Sequence, residues 1–281
     1  MNDSITSVAN ERVKKLVKLR ESAKKRKQEK LFVVEGNIDL KLIMECGRIV
    51  DEIYYCKELV EKNLLTNDLK KFKSLGIPII ELGHASFCKA SYRKSSDGFL
   101  STVKMWSNSL EDIQDDLGDI CVVLDETEKP GNLGAIIRSV EAMGVKTLLL
   151  CDLQVDFFNP NVIRSSRGLL AGVNVWQGSK EEIFTLLSAQ KFSLIGTSGK
   201  AEKSYWNHKF KNKTALIFGS EKDGLGEFWL NNVDDLIKIP MNGNADSLNL
   251  NASVACILAE YQRKKLDGSS KRSQPINAVV K

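Results

Sequence analysis

Residues Ile239 to Ser253 read IPMNGNADSLNLNAS. This stretch joins an apolar strand end, a glycine turn and a helix start. Leu236, Ile237 and Ile239 form a strand pattern that Pro240 interrupts, because proline has no N–H for a sheet ladder. Asn242, Gly243 and Asn244 supply turn chemistry. Either Ser247 or Asn249 can cap the helix that follows, which runs through Val254, Ile257, Leu258 and Tyr261 to the basic run Arg263-Lys264-Lys265. Alone, the segment reads as a ligand-holding junction, with an ordinary connection before a last helix as the competing reading.

Two further segments share this build. Cys121 to Leu124 is an apolar run followed by DETEKPGNLGAIIRSVEAMGV, in which Pro130 and Gly131 precede Ala135, Ile136, Val140 and Met143 at helical spacing. Ala215 to Phe218 is a second buried-strand run, followed by GSEKDGLGEFW. Each places backbone N–H groups and small residues at the carboxyl end of a strand, where open α/β sheets bind ligands. PGNLGA lacks the glycine pattern that a dinucleotide pyrophosphate requires, which excludes a dehydrogenase.

In this order and spacing the three segments resemble the signature motifs of the SpoU family of RNA 2'-O-ribose methyltransferases, in the TrmH-like group. The first motif is Asn132, Gly134 and Arg138. The second is Gly219, Glu221 and Gly224, and the third is Ile239-Pro240-Met241 followed by Ser247-Leu248-Asn249. One departure is that Leu250 and Asn251 follow SLN where the family has valine and serine. The resemblance covers residues 8 to 265, including LFVVEG at Leu31 to Gly36.

It implies an α/β protein in two parts. The carboxyl-terminal part is a trefoil-knotted methyltransferase domain with a mainly parallel sheet, over 118–265. A smaller amino-terminal α/β domain of L30e-like form, over 1–106, binds the RNA substrate, with a linker at 107–117 and a flexible tail at 266–281. The implied cofactor is S-adenosyl-L-methionine, held by Thr197, Gly219, Glu221, Ile239, Met241, Ser247 and Leu248. The implied catalytic set is Arg138, Asn132, Glu221, Ser247 and Asn249. A homodimer is implied as well. For Ile239, Met241 and Leu248 a plain core position is the competing reading, and for Arg138 a surface salt bridge. Glu221 is expected to orient either Arg138 or Asn132.

The amino-terminal residues carry an independent pattern. Strand-like runs at Leu31 to Val34, Ile49 to Tyr55, Pro78 to Leu82 and Gly98 to Val103 alternate with helical stretches near Asp39 to Glu45, Leu59 to Phe72 and Ala85 to Ala90. Such alternation gives a mixed or parallel sheet faced by helices. Residues 104–117 are polar and aperiodic, so the boundary is expected there.

Charge is segregated along the chain. Residues 12–30 carry a net +8 and residues 262–281 a net +5, so the remainder carries −8 of the overall +5. Clustered cations gain affinity for RNA by releasing its counterions. Expected RNA contacts are Lys24, Lys25, Arg26, Lys27, Arg93, Arg164 and Arg167, with Tyr92 and Lys94 as weaker candidates. The six cysteines lie far apart with no CxxC pair, mostly in apolar runs. That usage fits buried thiols in a reducing compartment and gives no zinc site. With no signal-peptide core and no apolar run of membrane-spanning length, a cytoplasmic enzyme without metal is expected. His84 and His208 lie outside the motifs and receive no catalytic role. The expected substrate is 23S ribosomal RNA, with transfer RNA, or an inactive RNA-binding or ribosome-assembly protein, as alternatives.

Overall fold

The computed structural model describes residues 4–93, 96–113 and 116–269, with backbone only for 62–66, 268 and 269. Two helices lead the chain, α1 (Glu11–Glu21) and α2 (Ala23–Glu29). An alternating set follows: β1 (Leu31–Glu35), α3 (Asn37–Glu45), β2 (Val50–Tyr55), α4 (Lys62–Ser74), β3 (Ile79–Glu81), α5 (His84–Ala90) and β4 (Phe99–Lys104). These four strands form a sheet in the order β1-β4-β2-β3, antiparallel except for the β2/β3 pair. The mixed character arises because β4 returns between β1 and β2.

The rest of the chain builds a second sheet from β5 (Ile120–Asp125), α6 (Pro130–Ala142), β6 (Thr147–Cys151), α7 (Pro160–Ser166), β7 (Asn174–Gly178), α8 (Lys180–Ala189), β8 (Ser193–Thr197), β9 (Lys203–Ser204), β10 (Thr214–Phe218), α9 (Glu227–Asn232), β11 (Asp235–Lys238) and α10 (Leu250–Ser269). Its order is β7-β6-β5-β10-β8-β11-β9, and every pairing is parallel.

A parallel sheet covered on both faces needs strands that are apolar throughout, and β5, β6 and β10 meet that demand with every residue buried. Alternate side chains then enter two cores. Val122, Leu124, Leu148, Leu150, Leu216 and Phe218 join Leu133, Ile136, Ile137 and Val140 of α6 and Val254, Ile257 and Leu258 of α10. Cys121, Val123, Leu149, Cys151, Ala215 and Ile217 join Ile183 and Leu187 of α8 and Trp229 of α9. From β5 the sheet grows through β6 on one side and β10 on the other. The carboxyl edge beside β5 is therefore a topological switch point, where ligands of such sheets bind.

The two sheets meet in a packed seam. Phe32, Val34, Ile43 and Val103 belong to the same apolar cluster as α6 and α10. The Phe32 ring lies 4.7 Å from that of Phe158, and Trp106 packs edge-on against Phe158 at 5.0 Å. The Arg48 guanidinium sits 4.3 Å over the Trp106 ring. Gly168, at φ +79°, lies so close to Asp39 that a Cβ there would stand 2.8 Å from the Asp39 carbonyl oxygen. The segment expected as a linker is held down: Ser109 bridges to Gln177, and Leu117 is fully buried. At the other end α10 continues to Ser269, past the expected limit at 265, and residues 270–281 of the expected tail lie outside the described residues.

Arg26 corrects the sequence reading. It is only 3% exposed, and its Nε donates to Asp156 Oδ2 across the seam at 2.7 Å, with Nη1 donating to the Leu19 and Arg20 carbonyls. It holds the basic arm onto the second sheet, and its guanidinium is turned away from solvent, where RNA contact was expected. The cysteine expectation holds only for Cys56, Cys121 and Cys151, which are buried; Cys46 and Cys88 are exposed, and all six are free.

Removing one partner of a buried ion pair strands the other charge. Arg26→Met is expected to lower unfolding free energy by about 3 kcal/mol in urea titration, while the salt dependence of RNA binding stays that of the wild type.

Candidate active site

Four strand ends supply the site. Beyond β5 the chain enters α6 at Pro130, whose missing N–H is harmless at a helix start. Asn132 therefore sits in the first helical turn, at the carboxyl edge of the sheet. Beyond β10, Ser220 and Gly224 bond to each other's backbone and close a tight loop, with Gly224 at φ +72°. A Cβ on Gly219 would stand 2.0 Å from the Gly224 carbonyl, so only glycine fits there. The loop carries Glu221. Beyond β11, residues 241–249 are exposed and end at Asn249.

Asn132 joins the three motifs. Its Nδ2 donates to Glu221 Oε1 at 2.7 Å, and its Oδ1 accepts from Asn249 Nδ2 at 3.2 Å. Asn249 also settles the capping question, since its Oδ1 accepts from the Asn251 N–H at 3.0 Å and so caps α10; Ser247 stays in the exposed loop. Seven residues after Asn132 on α6, Ser139 donates to Asn251 Oδ1 at 2.7 Å, a second tie between the same helices. That pair was missed in the sequence, although a seven-residue interval keeps both side chains on one helix face. Glu221 thus orients Asn132 and makes no bond to Arg138. Its Oε2 is buried with no hydrogen-bond partner, the condition of an acceptor that awaits a ligand or water.

Of the expected cofactor set, Thr197 ends β8 and donates its hydroxyl to the Ile217 carbonyl at 3.1 Å, fixing the β8 and β10 ends together. Ile239 is half-buried against the main core. Met241 and Leu248 are 37% and 38% exposed, so neither is a core residue. Gly134 has a structural reason: a Cβ would stand 2.5 Å from the Val162 carbonyl, because α7 packs directly on α6. Arg138 is exposed on α6 and has no acidic partner among the described residues, which removes the salt-bridge reading.

The expected RNA contacts are spread out. Lys24 and Lys27 are exposed, and Lys25 is partly buried beside Glu29 at 2.6 Å. Arg164 is exposed and lies 5.4 Å over the Tyr92 ring, whose hydroxyl donates to Asn161 at 3.0 Å. Arg167 is exposed in the left-handed region at φ 53°. Arg93 pairs with Asp39 at 3.1 Å, and Lys94 lies outside the described residues. His208 sits 3.6 Å from Asp235, where burial pushes its ring to a lower pKa; His84 is exposed beside Cys88. Asp125, Glu126 and Asp152 group their carboxylates within 4.8 Å, and Lys180 supplies positive charge at 3.7 and 3.8 Å from the last two.

The SpoU rRNA Methylase family matches residues 119–259, half of the chain. The protein belongs to this family. Residues 10–101 match the MRM3-like substrate binding domain. An uncharacterized tRNA/rRNA methyltransferase of Synechocystis is 30% identical over 95% of this chain and 96% of its own. The 23S rRNA (guanosine(2553)-2'-O)-methyltransferase RlmP of Bacillus subtilis is 26% identical over 92% of this chain and 98% of its own. The crystal structure of the SpoU methyltransferase AviRb from Streptomyces viridochromogenes, in complex with the cofactor AdoMet, superposes with a TM-score of 0.82 at 26% identity, covering 92% of this chain and 100% of that one. The fold class is the expected α/β one, a mainly parallel seven-stranded sheet of the SpoU family preceded by a smaller α/β layer. Among the described residues no helix is long and apolar enough to cross a membrane.

Any side chain at position 219 must displace backbone, which costs on the order of 2 kcal/mol or more. Gly219→Ala is expected to reduce thermal stability and to release Glu221 from Asn132, visible as changed amide shifts at both residues.

Proposed function

We propose that this SpoU methyltransferase transfers a methyl group from S-adenosyl-L-methionine to a ribose 2'-hydroxyl of 23S ribosomal RNA, acting in the cytoplasm as a homodimer. The observation that carries the reading is the joining of all three family motifs at Asn132 on the carboxyl edge of the sheet. An rRNA substrate is favoured by the match of the amino-terminal residues to a substrate-binding domain and by the full-length likeness to a 23S rRNA enzyme. In this reading residues 1–106 hold RNA and residues 118–265 carry the reaction.

The chain's own residues suit the cofactor. The Gly219 turn is closed by the paired Ser220 and Gly224 backbone and carries no side chain at its base. Thr197 and Ser247 offer hydroxyls, Met241 and Leu248 offer apolar surface that the core does not consume, and Ile239 offers the part of its side chain left outside the core. When bound, the cofactor supplies a methyl on a sulfonium, already activated for transfer. What remains for the protein is to align the acceptor hydroxyl and receive its proton, and alignment alone is worth several orders of magnitude in rate.

Glu221 Oε2 is the proton acceptor in this reading, through a water, because its partner oxygen is already committed to Asn132. Asn132 and Asn249 fix that carboxylate and the ribose beside it. Arg138 does not serve as the base, since stripping a guanidinium near neutral pH costs about 7 kcal/mol. Its exposed cation clamps the RNA phosphate and stabilises the developing alkoxide. Lys24, Lys25, Lys27, Arg93, Arg164 and Arg167 extend the positive track for RNA.

Arg138→Ala is expected to bind S-adenosylmethionine as the wild type does in calorimetry while losing methyl transfer to 23S rRNA by roughly 100- to 1000-fold. Equal transfer removes Arg138 from the mechanism. Nucleoside mass spectrometry of separated RNA pools from a deletion strain is expected to show one missing 2'-O-methyl mark in 23S rRNA; a missing mark in transfer RNA overturns the assignment of substrate.

A further inference from the structure

Residues 200–213 read KAEKSYWNHKFKNK, with five lysines and one glutamate. They connect β8 to β10 by way of the edge strand β9, and none of the three motifs includes them. Trp206 stands in the middle and is 53% exposed, although tryptophan is the side chain with most to gain from burial.

The exposure is imposed by the structure around it. Lys264 of α10 donates its Nζ to the carbonyls of Trp206 and His208, both at 2.7 Å, and to that of Tyr205 at 3.4 Å. The His208 ring packs on Phe210 at 4.9 Å, and Phe210 packs on Tyr261 of α10 at 5.4 Å. Ahead of Trp206, the Tyr205 N–H donates to the Lys238 carbonyl at 3.0 Å, one residue before Ile239 of the third motif. The loop is therefore clamped on both sides of Trp206, which rests tilted against the Tyr205 ring at 5.6 Å. Around it Lys200, Lys209 and Lys211 are exposed and have no acidic partner among the described residues, whereas Lys203 is paired with Asp235.

We propose that Trp206 is a stacking platform for an unpaired base of the substrate RNA, with Lys200, Lys209 and Lys211 neutralising the flanking phosphates. This rests on the reading that the protein acts on RNA. A rigid aromatic face within a local excess of cations has the chemistry that single-stranded RNA recognises, since every base offers a π-face and every linkage a phosphate. The clamp fixes the backbone that carries the ring, so part of the ordering that a stack requires is already in place. The platform lies on the second sheet's side of the molecule, beside α10, and gives the RNA a point of attachment outside the basic arm of α1 and α2.

The test uses the full chain and a fluorescein-labelled oligouridylate at low salt, read by anisotropy and by tryptophan quenching. Trp206→Ala is expected to weaken binding about 5- to 150-fold, the loss of one base stack, and to abolish the quenching. Trp206→Phe is expected to retain most of the affinity, and Lys209→Glu with Lys211→Glu to flatten the salt dependence. Unchanged affinity in Trp206→Ala, or no binding by the wild type, overturns the proposal. If Trp206→Ala instead converts a dimer to a monomer in sedimentation while RNA affinity is kept, the face is a contact between copies and the proposal falls. S-adenosylmethionine titration and methyl transfer are measured alongside. A wild type that binds the oligonucleotide through Trp206 yet transfers no methyl group leaves the platform standing and removes the enzymatic reading.

Discussion

Asn132 bonds on one side to Glu221 and on the other to Asn249, and the candidate site depends on that pair of contacts. Loops at the carboxyl edge of a parallel sheet have no ladder to hold them, because the strands that position them have ended. Here a primary amide, with a donor and an acceptor on one rigid plane, ties the loop after β10 to the start of α6 and both to the start of α10. An aspartate could not donate to Glu221, and a serine could not reach both partners. Asn249 is used as fully, since one atom caps its helix and the other completes the tie.

The second constraint is the seam. Phe32, Trp106, Phe157 and Phe158 interlock between the sheets, and Arg26 with Asp156 closes the edge of the contact. The amino-terminal layer, which matches a substrate binding domain, is thereby held in one orientation to the sheet edge that carries the three motifs. The positive charge of the amino-terminal arm is thus divided: Arg26 anchors the arm, and Lys24 and Lys27 face outward.

How far the sequence could be read depended on the kind of signal. Buried parallel strands leave unbroken apolar runs, so β5, β10 and the neighbourhood of β11 were visible, and the amino-terminal strands were located within one residue of their observed bounds. The motif residues were visible through their resemblance, in order and spacing, to the SpoU signature motifs, since a single glycine loop at a strand end reads equally as a tight turn. Which groups bond to which was legible only as a choice: Glu221 was expected to orient either Arg138 or Asn132, which lies 89 residues away, and no local pattern decides between them. Arg26 was misread for a related reason. Within KKRKQEK it is one cation among several, and only the position of Asp156, 130 residues on, distinguishes it. Met241 and Leu248 show the reverse case, apolar side chains whose composition suggests a core and whose loop holds them outside it.

One apolar cluster runs from β1 and β4 through Phe157 and Phe158 into α6 and α10. Cutting the polypeptide between its two layers would therefore uncover aromatic side chains that each bury roughly 150 to 250 Å². A truncated catalytic half would present an adhesive face and aggregate. A minimal soluble version would need polar replacements at Phe157 and Phe158, and those would in turn disturb the support beneath α7.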